Sequence, residues 1–391
     1  MSKAKWVLPI IVISQFCCTS LWFAGNGVMN DLSKVFNLNS DALGHLTSAV
    51  QFGFIIGTLL FAILTIADRF SPSKVFFISA ICGALFNLGT ILESNNLTTL
   101  LIFRFMVGFF LAGIYPVGMK IASDYYDKGL GKSLSFLVGA LVVGTAFPHL
   151  LNGFSEELPW KSVLIFTSVT ATFGGFIMLI LVPDGPFRKQ SQQIELTALF
   201  KVFKNSNFRS AAFGYFGHMW ELYAFWAFVP VMLTFYFETH SNTSFNVPVL
   251  SFLIISFGGI SCVLGGFISQ IKGIKQTAFS ALLLSCICCL IFPIVFYFNS
   301  AIVFIAFLIF WGLVVIADSP LFSTLVAQNV QAEFKGTALT IVNCIGFAIT
   351  IVSIQLINLM ITIWSSTYVF MLLAIGPIFG LIALFKNKTL S

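Results

Sequence analysis

Charged side chains are scarce in this chain of 391 residues. Only 9% of the residues are Asp, Glu, Lys or Arg, whereas 58% are hydrophobic, and the mean hydropathy is +0.99. Soluble globular proteins carry about 25% charged residues. The composition therefore excludes a protein that is mainly water-soluble.

Several sequence patterns that mark particular chemistries are also absent. The eight cysteines all lie in hydrophobic segments, without the Cys-x-x-Cys or Cys/His spacing of a metal site. No Walker-type phosphate-binding loop occurs, so ATP is not the expected energy source. Alternating-polarity segments of about ten residues, which mark membrane β-barrels, are missing too. We predict no cofactor and no metal.

Long hydrophobic segments dominate the sequence instead. A helix needs about 20 apolar residues to cross a bilayer. The first segment lacks a small-residue cleavage site, which favours a retained helix over a signal peptide. We predict twelve transmembrane helices, at 7–29, 44–67, 75–93, 98–122, 133–155, 162–183, 209–237, 247–270, 276–297, 300–325, 337–360 and 365–386. The expected fold class is an all-α integral membrane protein.

The basic residues are distributed unevenly between the two sides of this predicted topology. If both termini share a compartment, sixteen of the 20 Lys and Arg lie on their side, and only Lys34 and Lys161 lie opposite. The positive-inside rule then places both termini in the cytoplasm. The net charge of +6 therefore reflects topology, and no nucleic-acid partner is expected.

The chain divides into two similar parts. The polar, basic segment 184–208 predicts a cytoplasmic linker between an N-terminal half, 1–183, and a C-terminal half, 209–391. Motifs recur in both parts about 200 residues apart. The recurring pairs are Asp68-Arg69 with the Gly266–Lys275 turn, Ile114-Tyr115-Pro116 with Asp318-Ser319-Pro320, and Gly131-Lys132-Ser133 with Gly336-Thr337-Ala338.

The stretch from Leu64 to Lys74 resembles the loop between helices 2 and 3 of the major facilitator superfamily, G-x-x-x-D-R-x-G-R-K. Leu64 and Ser71 replace its two glycines. The resemblance implies two parallel six-helix halves with substrate bound between them near the midplane. It also implies that Asp68, Arg69 and Lys74 form a cytoplasmic gate. Simple solvation of the loop is the alternative.

Polar residues inside the predicted spans are the candidate site residues. An ionisable group at the bilayer centre costs about 2.5–3.5 kcal/mol, so such groups usually face a cavity or a partner. Most candidates lie in spans 1, 4, 7 and 10, the cavity-lining helices that the resemblance implies. The predicted substrate-binding residues are Gln15, Trp22, Asn26, Asn30, Arg104, Tyr115, Trp220 and Trp311.

Five residues of span 1 are spaced three or four apart: Gln15, Thr19, Trp22, Asn26 and Asn30. This spacing predicts that they line one helical face as a hydrogen-bonding wall of the substrate path. Polar contacts between packed helices are the alternative. Arg104 begins an R-x-x-x-G motif similar to that of the family. A buried guanidinium can bind an anion through two parallel hydrogen bonds, or it can be a structural partner for backbone carbonyls. The tryptophans could stack on a substrate or only pack.

Three ionisable residues in the C-terminal half are candidates for proton coupling. His218 and Glu221 lie three residues apart, and therefore on one helical face. They form either a proton relay or a static hydrogen-bonded pair. Asp318 is a second candidate protonation site, or the counter-ion of Arg104.

Together these patterns predict a secondary active transporter that works by alternating access. Its expected partners are a small-molecule substrate, protons and membrane lipids, and a monomer in a bacterial inner membrane is expected. The favoured activity is proton-coupled uptake of a small anionic or zwitterionic organic solute. The alternative is a proton-driven exporter of a metabolite, siderophore or drug. A membrane-embedded enzyme or receptor is more remote, because the candidates spread along four helices.

Overall fold

The part of the chain that the structure describes is mostly helical. A computed structural model describes residues 4–126, 130–154, 159–188, 202–240, 245–331, 334–364 and 366–387. In lipid, the backbone must satisfy its own hydrogen bonds, which a helix does within one segment. Within these ranges, eleven helices are long and apolar enough to cross a membrane, and a shorter apolar helix covers Trp6–Thr19. The prediction of an all-α membrane fold is confirmed.

The chain separates into two structural units, residues 1–193 and 194–391, called the N-terminal and C-terminal halves below. The boundary falls within the predicted linker 184–208, of which residues 189–201 lie outside the described part of the chain.

The N-terminal half contains ten described helices. They are α1 (Ala4–Thr19), α2 (Ala24–Gly27), α3 (Met29–Val35), α4 (Ala42–Ile63), α5 (Ile66–Arg69), α6 (Pro72–Gly89), α7 (Leu97–Leu111), α8 (Tyr115–Tyr125), α9 (Leu130–Gly153) and α10 (Lys161–Leu181).

The C-terminal half contains seven described α-helices and one 3₁₀ segment. They are α11 (Ser206–Thr239), α12 (Val247–Lys272), α13 (Ile274–Phe296), α14 (Ala301–Ala317), α15 (Ser319–Gln328), α16 (Lys335–Trp364), the 3₁₀ segment Thr367–Ala374 and α17 (Ile375–Lys386).

Polar residues at the ends of the spans set where helices begin. At the start of α7, the Asn96 side chain accepts a hydrogen bond from the Thr99 backbone N–H at 3.0 Å. The Thr99 hydroxyl accepts one from the Asn96 N–H at 2.9 Å. At the start of α12, Asn246 Oδ1 accepts from the Val249 N–H at 3.0 Å. These side chains satisfy N–H groups that have no partner within the helix.

The prediction of one continuous helix over 7–29 is wrong. α1 ends at Thr19, and the chain becomes helical again only at Ala24. Residues 20–23 contain neither Gly nor Pro, so the local sequence gives no signal for the interruption. The carbonyl oxygens that the break exposes find their partners elsewhere in the half, as described below.

The fourth span of each half is also divided, and here the sequence does carry a signal. α8 begins at Tyr115-Pro116 and α15 begins at Ser319-Pro320. Proline lacks the N–H that would continue the preceding helix, but it fits the first turn of a new one. The division leaves Asp318 between α14 and α15.

Two glycines bring α4 and α7 into direct backbone contact. A Cβ on Gly108 would lie 1.9 Å from the carbonyl oxygen of Val50, and a Cβ on Gly53 would lie 1.9 Å from that of Phe105. Small residues allow such close approach of membrane helices. This contact fixes the orientation of α7, and therefore the direction in which Arg104 projects.

Candidate functional site

Arg104 forms the centre of a buried polar cluster in the N-terminal half. Its Nη1 donates to the Leu21 carbonyl oxygen at 3.3 Å and to Asn87 Oδ1 at 3.2 Å. Its Nη2 donates to the Leu21 carbonyl at 3.2 Å and to the Trp22 carbonyl. The Arg104 side chain is buried. Its Nε atom has no partner in the described part of the chain.

The interruption after α1 explains this arrangement. Leu21 and Trp22 lie in the break, so their carbonyl oxygens are free to accept from a side chain. Asn87, on α6, donates through Nδ2 to the Leu164 carbonyl at 3.1 Å, to Thr167 Oγ1 at 3.1 Å and to Ser168 Oγ at 2.9 Å. We call Arg104, Asn87 and the two carbonyls of the break the arginine cluster. It connects α6, α7 and α10 to the interrupted first span.

Glu221 forms the centre of a second buried cluster, in the C-terminal half. Trp311 Nε1 donates to Glu221 Oε1 at 2.6 Å, and Cys289 Sγ donates to the same oxygen at 3.3 Å. Ser285 Oγ is hydrogen-bonded to Glu221 Oε2 at 2.8 Å. We call these four residues the glutamate cluster. They lie on α11, α13 and α14.

His218 and Asp318 form a buried ion pair in the same half. His218 Nδ1 lies 2.8 Å from Asp318 Oδ1, and both side chains are at most 1% exposed. Within the described residues, none of the two ring nitrogens of His218 and the two carboxyl oxygens of Asp318 makes a well-aligned hydrogen bond, so the Nδ1–Oδ1 approach is a close electrostatic contact. His218 Nε2 and Asp318 Oδ2 lie outside this contact and can bind a proton or another group.

The structure separates the predicted pair His218 and Glu221. Although both side chains lie on α11, His218 pairs with Asp318 and Glu221 bonds to Trp311, Ser285 and Cys289. The alternative of a static hydrogen bond between His218 and Glu221 is wrong for this conformation. The partners of Asp318 and Arg104 likewise come from their own halves. The proton-coupling role of the three residues remains a prediction.

The other predicted substrate-binding residues of span 1 are distributed over its separate helices. Gln15 is fully buried on α1, and neither atom of its amide has a partner in the described ranges. The Trp22 ring packs against Phe54, with centroids 4.9 Å apart. Asn26 Nδ2 donates to Thr47 Oγ1 at 2.8 Å. Because of the break, these residues do not share one continuous helix face.

The remaining predicted substrate-binding residues have varied surroundings. Asn30 is exposed on α3, and Tyr115 is half-buried at the start of α8. Trp220 Nε1 donates to the Leu372 carbonyl at 3.0 Å. Trp311 Nε1 is bonded to Glu221. The two indole N–H groups therefore have protein partners, and the substrate role of all four residues remains a prediction.

The predicted gate residue Asp68 belongs to an ionic network of the N-terminal half. Lys120 Nζ lies 2.8 Å from Asp68 Oδ1 and 3.7 Å from Asp124 Oδ1. Arg188 Nη2 donates to the Asp68 carbonyl at 2.9 Å, and Arg188 Nη1 lies 2.5 Å from Asp184 Oδ2. Lys120 thus connects α8 to the turn that carries Asp68.

The other two predicted gate residues, Arg69 and Lys74, are exposed. Neither takes part in an ion pair within the described part of the chain. The gate role of all three residues stays a prediction.

Sequence reasoning missed the polar partners of both buried clusters. Asn87, Ser285 and Cys289 are single polar residues in apolar surroundings and belong to no recognisable motif. The available signal was position: Asn87 and Cys289 lie 202 residues apart, in the third span of each half. Applying the repeat offset to polar residues would have singled out Asn87 and Cys289, but not Ser285.

Comparison with known proteins gives a family match along most of the chain and relatives that match parts of it. The family model described as Major Facilitator Superfamily matches residues 11–354. The MFS-type transporter acdC of Aspergillus candidus is 27% identical over 156 residues, which cover 39% of this chain and 30% of that protein. The benzoate transport protein of Acinetobacter baylyi is 29% identical over 150 residues, covering 35% and 30%. The 4-hydroxybenzoate transporter PcaK of the same organism is 27% identical over 188 residues, covering 46% and 38%. The chain thus spans about a third of the length of these curated relatives.

Solved structures share the fold. The proton:xylose symporter XylE superposes with a TM-score of 0.76 at 13% identity, covering 98% of this chain and 96% of that one. A bacterial homologue of the human lysosomal transporter Spinster gives a TM-score of 0.72 at 14% identity, covering 100% and 98%. The relatives and structural neighbours are transporters, not enzymes.

Proposed function

Because the chain belongs to the Major Facilitator Superfamily, we propose that it takes up a small organic acid together with protons. A multi-pass membrane transporter follows from the family and from the apolar helices. The coupling ion, the substrate class and the direction are the proposed part.

The buried His218–Asp318 pair is the observation that carries the proposal. Burying ionisable groups in a membrane protein is costly, so those that persist commonly lie on ion or proton pathways. Here an imidazole and a carboxyl group lie 2.8 Å apart, and no side-chain nitrogen or oxygen of either makes a well-aligned hydrogen bond in the described part of the chain. Asp318 is the proposed acceptor of the transported proton.

Protonation of Asp318 gives a direct link between proton binding and conformation. The ion pair attracts α11 to the junction of α14 and α15, because His218 and Asp318 lie on these elements. A proton on Asp318 removes that attraction. A membrane potential supplies about 2.3 kcal/mol per charge per 100 mV. Protons entering down their gradient can therefore drive the cycle of alternating access.

The substrate class is supported by the names of three bacterial relatives. They are transporters of benzoate, 4-hydroxybenzoate and niacin, from Acinetobacter baylyi. We propose a small aromatic or related organic anion. In the N-terminal half, the unpartnered amide of Gln15 and Nε of Arg104 are the proposed hydrogen-bonding groups.

The ionic network around Asp68 is the proposed gate. Lys120 and Arg188 connect the α5 turn to α8 and to the segment after α10. We propose that this network stabilises one conformation of the transport cycle. We also propose a monomer in a bacterial inner membrane, with both termini cytoplasmic, on the basis of the basic residues.

Transport into proteoliposomes tests the proposal. The probes are labelled benzoate, 4-hydroxybenzoate and nicotinate, with benzamide as the uncharged control, under an imposed inward proton gradient. We expect at least one anion to accumulate beyond the passive weak-acid uptake of liposomes without the protein, and a protonophore to abolish this excess. Benzamide is uncharged and crosses bilayers unaided, so it is expected to equilibrate without accumulating.

Two outcomes contradict the proposal. Accumulation that is indifferent to the gradient would exclude proton coupling. Gradient-driven movement of preloaded solute in the direction opposite to the protons would identify an exporter, the alternative that the sequence left open.

A further inference from the structure

The Glu221 carboxyl is buried without a cationic partner. It is 1% exposed, and its three side-chain partners are an indole N–H, a hydroxyl and a thiol. Within the described part of the chain, no Lys, Arg or His makes an ion pair with it. An isolated carboxylate in such surroundings is strongly unfavourable, and neutralisation by a proton removes that cost.

The single proton of the Ser285 hydroxyl decides where the proton of Glu221 can lie. Ser285 Oγ is 2.8 Å from Glu221 Oε2 and 3.1 Å from the Leu282 carbonyl oxygen. A serine hydroxyl has one donor and two acceptor sites. If Glu221 is ionised, both neighbouring oxygens compete for one proton and one of the two contacts is lost. If Oε2 carries a proton, it donates to Ser285, and Ser285 donates to Leu282.

The other carboxyl oxygen is suited only to accept. Trp311 Nε1 is a donor without acceptor capacity, and it lies 2.6 Å from Glu221 Oε1. Cys289 Sγ approaches the same oxygen at 3.3 Å. Oε1 therefore behaves as the carbonyl oxygen of a carboxylic acid and Oε2 as its hydroxyl. Every proton in the cluster then has one acceptor.

The titratable groups around Glu221 favour the same assignment. They are Cys286, Cys288 and Cys289 on α13, Asp318 directly after α14, and His218, which lies on α11 as Glu221 does. His218 is the only group among them that can carry a positive charge, and it already lies against Asp318. An ionised Glu221 would leave this region with an unbalanced negative charge.

We propose that Glu221 is a carboxylic acid in this conformation, with its proton on Oε2 donated to Ser285. Ser285 is the positioning residue that holds this proton. The glutamate cluster is then a proton-binding site separate from the His218–Asp318 pair. This inference deepens the proposed function, because it separates a stored proton from an exchanging one.

Infrared spectroscopy of the purified protein at neutral pH tests the inference without a transport assay. A protonated carboxyl has a C=O stretch well above the carboxylate bands, and ¹³C labelling of glutamate shifts only the glutamate contribution. We expect a label-sensitive C=O band that disappears in Glu221→Gln and persists in Asp318→Asn. The amide of Glu221→Gln reproduces both the donor and the acceptor, so this variant is expected to fold and to melt like the wild type.

Ser285→Ala is expected to keep the acid band but to shift it to higher wavenumber, since the acid proton loses its acceptor. Ser251→Ala is the matched control, because Ser251 is a fully buried serine of the same half that donates only to the Val247 carbonyl. A wild-type spectrum without the label-sensitive acid band would overturn the inference. So would a band that Ser285→Ala leaves unshifted. If the band is absent while proton-driven uptake persists, the inference fails and the proposed function stands.

Discussion

The two buried clusters both join the first, third and fourth spans of their half. The group at the centre of one needs hydrogen-bond acceptors, whereas the group at the centre of the other needs donors or a proton. In the N-terminal half, a cation on the fourth span binds backbone carbonyls of the first span and an amide on the third. In the C-terminal half, a carboxyl on the first span binds side chains on the third and fourth. The first span is interrupted in one half and is a continuous helix, Ser206–Thr239, in the other.

The sign of the central group explains this difference in backbone. A guanidinium needs acceptors, and a break in a helix exposes carbonyl oxygens that supply them. A carboxyl needs donors or a proton, and its serine, cysteine and tryptophan partners supply donors from side chains. The helix that carries Glu221 therefore does not need to be interrupted to supply hydrogen-bond partners. The chemistry of the buried group thus goes with a different backbone in the first span of each half.

The largest expected effect comes from removing the cation of the arginine cluster. Arg104→Ala leaves Asn87 Oδ1 and the Leu21 and Trp22 carbonyls without partners, and each buried unsatisfied group costs about 1–3 kcal/mol. We predict a loss of about 4 kcal/mol in the free energy of unfolding, measured by denaturation in detergent. Arg104→Lys keeps the charge but not the forked donors, so it is expected to recover only part of the lost free energy of unfolding. An Arg104→Ala protein as stable as the wild type would contradict a structural role.

A smaller effect is expected from the amide that supports this cation. Asn87→Ala removes three hydrogen bonds to α10 but leaves Arg104 its carbonyl partners. We predict a destabilisation of about 2 kcal/mol by the same measurement. The double variant with Arg104→Ala should lose less free energy of unfolding than the two single variants lose together, because the two residues contact each other. Strict additivity would show that the two do not act as one cluster.

The matching change in the C-terminal half is expected to cost less still. Trp311→Phe removes one donor to Glu221 and keeps the ring, so we predict about 1 kcal/mol of destabilisation. The cost is low because a neutral acid tolerates the loss of one donor better than an ion does. A cost equal to that of Arg104→Ala would contradict the difference between the clusters.

An exposed ion pair in the N-terminal half is expected to give the smallest change in stability. Lys161 Nζ lies 2.9 Å from Glu93 Oε1, and this hydrogen bond and charge lower the pKa of Glu93 from its ordinary value. A carboxyl whose pKa is lower when folded contributes stability at neutral pH, and that contribution is lost as the pH falls through the folded pKa. Glu93→Gln should therefore melt slightly below the wild type at neutral pH and equally in acid. Salt should reduce the small difference. A difference that grows in acid would contradict this sign.

The sequence predicted the spans because apolar length and helix-breaking proline are local properties. Pro116 and Pro320 are local signals for the division of the fourth spans, although the predicted spans 98–122 and 300–325 are undivided. The break at residues 20–23 could not be predicted locally, since it is stabilised by Arg104, more than 80 residues away.

The sequence did not predict the contacts of His218 and Glu221, because these also depend on residues far away in the chain. Spacing placed His218 and Glu221 on one helical face, but two residues three apart still point to different neighbours. His218 reaches Asp318 and Glu221 reaches Trp311 because α11 packs against α14 and α15. Helix periodicity identifies the face, and only tertiary packing selects the partner.

Separating exchange from accumulation in Asp318→Asn proteoliposomes tests the central claim most directly. The solute is whichever of benzoate, 4-hydroxybenzoate or nicotinate the wild type takes up. If the His218–Asp318 pair couples protons to transport, the variant should still exchange labelled for unlabelled solute across the membrane. It should fail to accumulate the solute under an inward proton gradient. Accumulation by Asp318→Asn at the wild-type level would contradict the account.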